Sequence, residues 1–400
     1  MDNSSHAEIG VFLGVDVGKG AHHAVALDRV GERLLDRALP NDESQLRGLI
    51  NGLRAYGPVL LVVDQPATVG ALIVAVAHAE GVSVGYLPGL VMRRIADLHP
   101  GEAKTDPKDA YVIAEAARAM PHTIRSLSLP EETLAELIVL SGFDEDLASM
   151  INQTANRLRG LLTQVHPALE RTLGPRIMHP AVLDLLQCYP TPEAMRTAGR
   201  ARLAARLTKR APRLAGQLGE AVWSALSEQS VVVAGTAAAA VVVPRLAQQL
   251  DTLITQRAEV IEQVEELVDA HPLSGVLISM PGVGVRTAAR ILTETAGKDF
   301  PTAGHLAAYA GLAPVTRRSG TSIRGEQQSR RGNKKLKRVL FLAAFAALKD
   351  PVSRAYYDRK RDQGKSYNQA IMALARHRCD VLFAMLRDGT YYNPEPSAAA

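Results

Sequence analysis

Residues 11–17, Val11-Phe12-Leu13-Gly14-Val15-Asp16-Val17, form an apolar stretch with a single charge near its end. A run of this length and composition predicts a buried β-strand. A second apolar run, Val59-Leu60-Leu61-Val62-Val63, is followed directly by Asp64. If the two strands share a sheet, both aspartates emerge at the same edge of it. The two runs therefore predict a sheet with a pair of acidic residues at one edge.

Two shorter segments between these runs extend the predicted sheet. Residues 24–28 and 33–36 predict short strands, and Val30-Gly31 predicts the turn that joins them. Strand, turn and strand in close succession indicate an antiparallel meander that leads into the central sheet. We therefore expect an α/β fold for the N-terminal part, with a mixed sheet and helices.

Two more acidic residues lie at the start of a predicted helix. In Lys104-Thr105-Asp106-Pro107-Lys108-Asp109-Ala110 the proline suits the first turn, and good helix formers continue to Arg118. A spacing of three places Asp106 and Asp109 on one helical face. The same pattern also fits a simple helix N-cap with an acid in the first turn, where the helix dipole favours it.

The four carboxylates together fit one kind of chemistry. Two hard cations about 4 Å apart can hold the attacking and leaving oxygens of a phosphodiester, and several convergent carboxylates are needed to hold the cations. The candidate ligands of two Mg²⁺ ions, with Mn²⁺ as a substitute, are Asp16, Asp64, Asp106 and Asp109. This predicts a metal-dependent nuclease domain of the RNase H type. A lone aspartate after a strand is usually a loop residue, but four within one domain-sized segment are uncommon by accident.

Charge is unevenly distributed along the 400 residues. Residues 1–120 carry a net charge of −4 and residues 121–270 one of −3, whereas residues 271–400 hold 21 Lys+Arg against 9 Asp+Glu, a net charge of +12. Such a basic segment indicates a polyanionic partner, because Lys and Arg neutralise the phosphates of nucleic acid. A solvated basic face is the alternative for any single cluster.

The sequence predicts a reduced intracellular protein. The N-terminus has no signal-peptide pattern, and the longest apolar run, residues 231–243, is too short to span a bilayer. The two cysteines, Cys188 and Cys379, lack metal-ligand spacing. We expect a cytoplasmic, nucleoid-associated bacterial protein without a membrane partner.

Two long amphipathic helices are predicted in the middle of the chain. Apolar residues step mostly by three and four from Leu134 to Val165, and again from Leu246, after Pro244, to Val268. These helices are long enough for a coiled coil, and they could form an antiparallel hairpin or a contact between subunits. The insert between them, residues 175–243, is rich in Pro, Ala and Arg and indicates no chemistry.

The C-terminal third contains a glycine-rich turn and a basic cluster. Pro281-Gly282-Val283-Gly284 has the form of a helix-hairpin-helix turn, in which glycines and helix N-terminal amides approach a phosphate. A glycine-rich corner between helices is the alternative. Residues 330–338 contain six basic residues in nine and lead into an apolar helix over residues 339–348.

Together these residues resemble the insertion-sequence transposases of the "IS one-ten" type, over roughly residues 10–170 and 270–350. The motifs that carry the resemblance are Gly14-Val15-Asp16-Val17, Lys104-Thr105-Asp106 with Asp109-Ala110, Pro281-Gly282-Val283-Gly284, Ala310-Gly311-Leu312-Ala313-Pro314, Ser319-Gly320 and Arg331-Gly332-Asn333. One position departs from the family pattern. The second acid of the quartet is usually glutamate, whereas this chain has Asp64.

The resemblance implies a domain organisation and partners. We expect a RuvC-like DEDD catalytic domain over residues 9–125, a helical coiled-coil region over 130–270, and a mostly α-helical serine transposase domain with the helix-hairpin-helix motif over 271–390. The implied activity is that of a recombinase that acts on the DNA of the element ends and target. The implied partners are a guide RNA made by the element and further copies of the chain, in a dimer or tetramer held through the helical middle region.

In this family a serine attacks a DNA phosphate and forms a covalent phosphoserine intermediate. The matching residue is Ser319, with Ser322 as the alternative, and such a serine needs a proton acceptor and a positive environment. The residues expected to bind nucleic acid are Gly282, Gly284, Arg286, Arg317, Arg318, Arg324, Arg330, Arg331, Asn333, Lys334, Lys335 and Arg338.

Three other functions fit parts of the sequence. An actin-like sugar kinase shares the glycines around Asp16 but needs a later Gly-Gly nucleotide motif, and the chain has no Gly-Gly pair. A non-catalytic DNA-binding protein leaves the four aspartates unexplained. A RuvC-like junction-resolving nuclease that activates water is the nearest alternative, and it has no use for Ser319.

Overall fold

The computed structural model describes residues 6–66, 68–99, 105–126, 132–319, 323–328 and 331–394. Within these ranges, the description covers the backbone alone for residues 68, 90, 126, 315–319 and 323–328. The chain divides into two compact units. The first comprises residues 1–131 with 295–301, and the second comprises residues 132–294 with 302–400. The division predicted near residue 270 falls inside the second unit and stays a prediction.

The first unit is built on a mixed β-sheet. The strands are β1 (Val11–Asp16), β2 (Ala21–Asp28), β3 (Arg33–Pro40), β4 (Val59–Val63), β5 (Ser83–Tyr86) and β6 (Arg125–Ser126). Among the residues described, these six strands have the order β3-β2-β1-β4-β5-β6. β1 pairs antiparallel with β2 and parallel with β4, and β4 pairs parallel with β5. The predicted strands and meander are confirmed, with β3 continuing beyond its predicted end at Asp36.

Helices cover both faces of this sheet. They are α1 (Glu43–Leu53), α2 (Ala71–Ala79), α3 (Gly89–Ala96) and α4 (Asp106–Ala119). On one face Leu13 of β1 belongs to a core with Ile50 of α1 and Ile73 of α2. On the other face Phe12 belongs to a core with Ile113 of α4. Because both faces are buried, β1 and β4 are apolar runs without alternation.

The first half of the second unit is helical. Its helices are α5 (Glu132–Val165), α6 (Pro167–Leu173), α7 (Pro180–Cys188), α8 (Pro192–Arg210), α9 (Pro212–Ser227) and α10 (Thr236–Ala270). α5 and α10 pack along each other in opposite directions. Arg257 of α10 forms an ion pair with Asp144 of α5 at 2.7 Å, and Gly235, just before α10, lies near Gln164 at the other end of α5. The two long helices therefore form an antiparallel hairpin within one chain. Their supercoiling and a contact between subunits stay predictions.

The start of α10 differs from the prediction. The helix begins at Thr236, and Pro244 lies inside it. A proline removes one helical hydrogen bond, but Ala239 and Val243 are buried and continue the apolar face of α10 on the N-terminal side of the proline. Burial of this face therefore outweighs the lost hydrogen bond. The prediction that the helix follows Pro244 is wrong.

The insert at residues 175–243 contributes α7, α8 and α9 and the start of α10. α7 and α8 each begin with a proline behind a side-chain cap, which is the position where the fixed φ of proline suits a helix. Nδ1 of His179 accepts a hydrogen bond from the Ala181 N–H at 3.1 Å, and Oγ1 of Thr191 accepts one from the Ala194 N–H at 3.0 Å. The prolines that make this segment look irregular in sequence are thus helix starts.

The second half of the second unit is mostly helical with one hairpin. Its elements are α11 (Ser274–Ile278), α12 (Val285–Thr295), α13 (Ala303–Tyr309), β7 (Pro314–Ser319), β8 (Ile323–Gln328), α14 (Lys334–Ala346), α15 (Pro351–Asp362) and α16 (Tyr367–Asp388). α16 packs against α13, α14 and α15, with Ile371 and Leu382 buried. The antiparallel hairpin of β7 and β8 was not expected from the sequence.

Candidate functional site

Asp16 and Asp64 lie at the carboxyl ends of two neighbouring strands. Asp16 is the last residue of β1, and Asp64 directly follows β4. Since these strands are parallel and Val15 pairs with Val63, both aspartates emerge on the same side of the sheet. The Asp64 carboxylate accepts a hydrogen bond from the Val17 N–H at 3.4 Å. The predicted convergence of these two acids is therefore seen in the backbone register.

Tyr86 ends β5 on the same side of the sheet and was missed in the sequence. It pairs with Val63, the residue before Asp64. Burial raises the pKa of the Tyr86 hydroxyl, Arg125 lowers this pKa, and the Asp64 carboxylate raises it. Tyr86 is thus a neutral hydrogen-bond donor within electrostatic reach of Asp64. A tyrosine at the end of a short strand carries no sequence signal that separates this position from an ordinary core residue.

Helix α4 runs antiparallel to β1 and packs closely against it. A β-carbon added at Gly14 would overlap with the Ala110 carbonyl oxygen and the Ala114 nitrogen. Further along the helix, the Ala117 carbonyl oxygen lies 2.9 Å from Nε2 of His6, which precedes β1. The N-terminal turn of α4 therefore lies toward the carboxyl end of β1, the end that carries Asp16.

This orientation brings Asp106 and Asp109 to the side of the sheet that carries Asp16 and Asp64. Thr105 caps α4 by accepting a hydrogen bond from the Lys108 N–H at 3.4 Å, so Asp106 is not the capping residue. The Asp106 side chain is exposed, whereas Asp109 is 7% exposed. Asp16 and Asp64 are half-buried. Asp109 is therefore the most buried of the four aspartates.

The four aspartates have the kind of donor atom that suits a divalent cation. All are oxygen ligands of the kind that Mg²⁺ prefers. Within the described ranges, however, no three Asp, Glu, His or Cys side chains already form a group that could hold a metal ion. Ligation by three or more carboxylates would require side chains to turn toward one another. The Mg²⁺ ligand set, its two ions and the Mn²⁺ substitute stay predictions.

Ser319 belongs to the second unit, where it is the last residue of β7. Its Cα pairs with that of Ile323 across the hairpin, and Arg318 pairs with Arg324 in the same ladder. The hairpin thus brings the predicted nucleophile and three predicted phosphate-binding residues, including Arg317, onto two adjoining strands. Ser322 and Arg330 lie outside the described residues.

The two glycine motifs of the second unit pack against each other. Gly332 has a φ of +95°, and a β-carbon there would lie 2.6 Å from the Gly311 nitrogen. A β-carbon at Gly311 would overlap with the Arg331 carbonyl oxygen. Any larger side chain at either position would force the two segments apart. This contact seats the segment before α14 against the end of α13.

Asn333 caps α14 and has both ends of its side chain engaged within the protein. Its Oδ1 accepts hydrogen bonds from the Lys335 and Leu336 N–H groups, each at 3.0 Å. Its Nδ2 donates to Glu294 at 2.6 Å and to the Tyr309 hydroxyl at 2.9 Å. Asn333 therefore has a capping role that its basic sequence context does not indicate. Its predicted contact with nucleic acid stays a prediction.

We expect Asn333→Ala to destabilise the second unit by about 2 kcal/mol, because the cap and two donated hydrogen bonds are lost together. Urea unfolding of the full chain, followed by hydrogen exchange of the peptides that contain α12, α13 and α14, measures the loss. Lys334→Ala at the exposed neighbouring position is the control and should change little. Wild-type stability with weakened DNA binding in Asn333→Ala would instead favour a direct nucleic-acid contact.

The basic residues of the second unit are not equivalent. Lys335 forms an ion pair with Glu145 of α5 at 2.7 Å, and Arg290 of α12 contacts the same carboxylate at 2.8 Å. Three of the predicted nucleic-acid ligands are exposed and form no ion pair in the part of the chain that the structure describes: Arg286, Lys334 and Arg338. Arg331 is exposed as well. Lys335 therefore has a structural partner, and the three exposed cations are the better candidates for phosphate contacts.

The two glycines of the glycine-rich turn, Gly282 and Gly284, have different surroundings. α11 and α12 flank the turn, and Gly282 has a φ of +79°. A β-carbon at Gly282 would lie 2.7 Å from the Ala347 nitrogen and would overlap with the Ala343 carbonyl oxygen, so its close backbone approach is to the end of α14. Around Gly284, directly before α12, nothing lies within 4 Å of an added β-carbon. Gly284 is thus the position of the turn that is open to a ligand.

Comparison with known proteins identifies the class of protein. The profile of a DEDD transposase domain matches residues 13–167, and that of the transposase IS116/IS110/IS902 family matches residues 274–358. The 43.6 kDa protein of insertion element IS110 from Streptomyces coelicolor is 57% identical, with 96% of each chain covered. The 42 kDa protein of insertion element IS900 from Mycobacterium paratuberculosis is 38% identical over 98% of this chain and 99% of its own length. The 44.8 kDa protein of insertion element IS116 from Streptomyces clavuligerus is 36% identical over 96% and 97%.

These matches extend over nearly the whole chain, so it is a transposase of an insertion element. It belongs to the IS110 family. The mixed sheet of the first unit, with its acidic residues at one end, is consistent with the RNase H-like DEDD domain of that family. None of the helices described here is both long enough and apolar enough to cross a membrane.

Proposed function

We propose that this transposase cuts and rejoins DNA through two chemical parts, the four aspartates of the first unit and Ser319 of the second. The observation that carries the proposal is the β1–β4 register, which sets Asp16 and Asp64 side by side. The orientation of α4, which adds Asp106 and the buried Asp109, supports it. A DNA-binding protein without catalysis has no need for four aspartates at one end of a sheet.

Asp16, Asp64, Asp106 and Asp109 would hold the divalent cation of the reaction. When bound, Mg²⁺ or Mn²⁺ would supply positive charge that stabilises the phosphate in the transition state. Buried Asp109 would be the rigid member of the set, and exposed Asp106 the member that can turn. Tyr86 would help to orient the Asp64 carboxylate. Asp64, one methylene shorter than the usual glutamate, would depend most on such support.

Ser319 would be the nucleophile. Its Oγ forms a bond to the phosphorus of one DNA phosphate, the bond from that phosphorus to the leaving DNA oxygen breaks, and the leaving oxygen takes up a proton. The serine proton passes to a carboxylate or to water. A hydroxyl of another DNA end then attacks the phosphoserine, which restores the serine and rejoins the strands. Energy of the cut bond is thus kept in the covalent intermediate.

The flanking arginines and exposed cations of the second unit would bind the DNA backbone. Arg317, Arg318 and Arg324 lie on the hairpin that carries Ser319. Arg286, Lys334 and Arg338 are exposed. We further infer a guide RNA as the source of sequence selection, a homo-oligomer joined through α5 and α10, and a site of action on the bacterial chromosome in the cytoplasm. The family resemblance supports these three inferences.

A search for the covalent intermediate tests the proposal. The chain is isolated under denaturing conditions from bacteria that carry the complete element, digested with nuclease and examined by mass spectrometry. We expect a nucleotide adduct on the peptide that contains Ser319. The adduct should disappear in Ser319→Ala and persist in the matched variant Ser322→Ala. DNA cleavage that survives Ser319→Ala without any adduct would support the water-using junction nuclease instead.

A further inference from the structure

A cluster of basic residues lies where α8 meets α9, between the segments that the two family profiles match. Residues 194–219 contain seven Lys and Arg and no Asp or Glu. The profiles end at residue 167 and resume at residue 274. The net charge of −3 over residues 121–270 conceals this cluster, because the acidic residues of that region lie elsewhere.

Three of the seven cations hold the helices of the insert together. Arg206 of α8 contacts Asp184 of α7 through two hydrogen bonds of 2.5 and 2.7 Å. Arg200 of α8 pairs with Glu220 of α9, with one hydrogen bond at 2.8 Å. Arg196 pairs with Glu193 within α8 at 3.3 Å and also donates to the backbone carbonyls of Leu226, in the last turn of α9, and Gln229, which follows it. These arginines therefore have structural partners.

The other four cations are left without acidic partners. Arg202, Lys209 and Arg210 of α8 and Arg213 of α9 are exposed and form no ion pair among the residues that the structure covers. Residues seven and eight apart lie on one side of a helix, so Arg202, Lys209 and Arg210 share a face. Leu203 and Leu207 are buried on the inner side of the same helix. We name these four residues the α8–α9 basic patch.

We propose that the α8–α9 basic patch binds the phosphate backbone of duplex DNA. Four uncompensated cations within a short distance along the chain produce a local positive potential that a polyphosphate neutralises. Binding of single strands usually adds aromatic side chains on which bases stack. The segment from α8 to α9 contains one aromatic residue, Trp223, which is half-buried. A surface that has positive charge but few aromatic side chains for bases to stack on is suited to the backbone of a duplex.

The proposal rests on the proposed function in one respect, that the partner is the DNA on which the transposase acts. It adds a contact in a part of the chain to which neither the acidic quartet nor Ser319 belongs. Such a contact would hold the DNA without reading its sequence, since phosphate contacts position a duplex but do not specify it.

Fluorescence anisotropy with the full chain and a labelled random-sequence duplex of about 60 base pairs tests this contact. The duplex contains no element sequence, and the buffer contains EDTA, so the outcome does not depend on Ser319 or on cleavage. In the variant with Gln at positions 202, 209, 210 and 213, the Kd near 0.1 M salt should rise at least about tenfold. The slope of log K against log salt should become less steep by about 3.6, because about 0.9 counterion is released for each of the four phosphate contacts.

The charge-conserving variant Arg202→Lys with Arg210→Lys and Arg213→Lys is the matched control. It should bind the duplex like the parent chain, because backbone contacts of this kind depend on charge. Circular dichroism melting of both variants excludes loss of the fold. An unchanged Kd and salt slope in the Gln variant would overturn the proposal. So would a Gln variant that loses affinity for an RNA stem-loop from the element while it binds duplex DNA normally.

Discussion

Asp16→Asn and Asp109→Asn are each expected to reduce recombination by at least about a thousandfold, with little change in the fold. Asparagine has the shape of aspartate but lacks the charge that attracts a divalent cation. Both substitutions leave the packing of β1 and α4 unchanged, so their effect reports on chemistry. The measurement is the frequency of element excision and joining in a bacterial host, with protein level and melting temperature determined for each variant.

The physical reason lies in the position of the two residues. Asp16 leaves β1 on the side where Asp64 leaves β4, and the N-terminal turn of α4 adds Asp109 from above the sheet. Asp109 is 7% exposed, and asparagine has nearly the same volume as aspartate, so Asp109→Asn creates neither a cavity nor an overlap there. We therefore expect Asp109→Asn to leave the first unit folded while it removes activity. Loss of activity with retained stability is the signature of a functional carboxylate.

A matched substitution at the opposite end of the same sheet is the control. Asp28 ends β2 beside Val11, the first residue of β1, and accepts a hydrogen bond from the Glu32 N–H at 2.7 Å that an asparagine also accepts. The Asp28→Asn variant should excise and join the element at the normal frequency. Asp64→Glu should remain active, because it restores the acid usual in the family, whereas Asp64→Asn should not. Full recombination by Asp16→Asn would refute a catalytic role for the acidic residues.

The strands that carry the site could be predicted, because a strand that is buried on both faces has a continuous apolar sequence. The runs Val11–Val15 and Val59–Val63 are apolar without alternation. An aspartate follows each run, and the strand register places these two aspartates next to each other. The orientation of α4 could not be derived in this way. It depends on Gly14, whose missing side chain admits the helix backbone, and a glycine in a strand does not reveal what approaches it.

Other parts of the second unit depend on long-range contacts that local patterns do not record. The hairpin of β7 and β8 is polar and basic, so no apolar alternation marks it. Asn333 stands in a basic cluster and was expected to bind nucleic acid, yet its side chain contacts Glu294 and Tyr309, which are distant in sequence. The α8–α9 basic patch was missed for a different reason, since a charge averaged over 150 residues hides four exposed cations.

Gly14→Ala is expected to destabilise the first unit by about 3 kcal/mol or more, and to abolish recombination as a consequence. The added methyl group would overlap with backbone atoms of Ala110 and Ala114, and backbone atoms in a helix cannot rotate away as a side chain can. α4 would have to move off β1, which separates Asp106 and Asp109 from Asp16. Gly14→Ala is therefore expected to disturb both the packing of α4 and the arrangement of the aspartates.

Hydrogen exchange of peptides covering β1 and α4, with urea unfolding of the full chain, measures the effect of Gly14→Ala. Gly48→Ala in α1 of the same unit is the matched control, because nothing lies within 4 Å of a β-carbon at Gly48 and alanine is the better helix former. It should be neutral or stabilising by up to about 1 kcal/mol. Normal protection of α4 in Gly14→Ala would mean that the helix does not pack on β1 as described. The placement of Asp109 near Asp16 would then also be wrong, since it depends on the contact between Gly14 and α4.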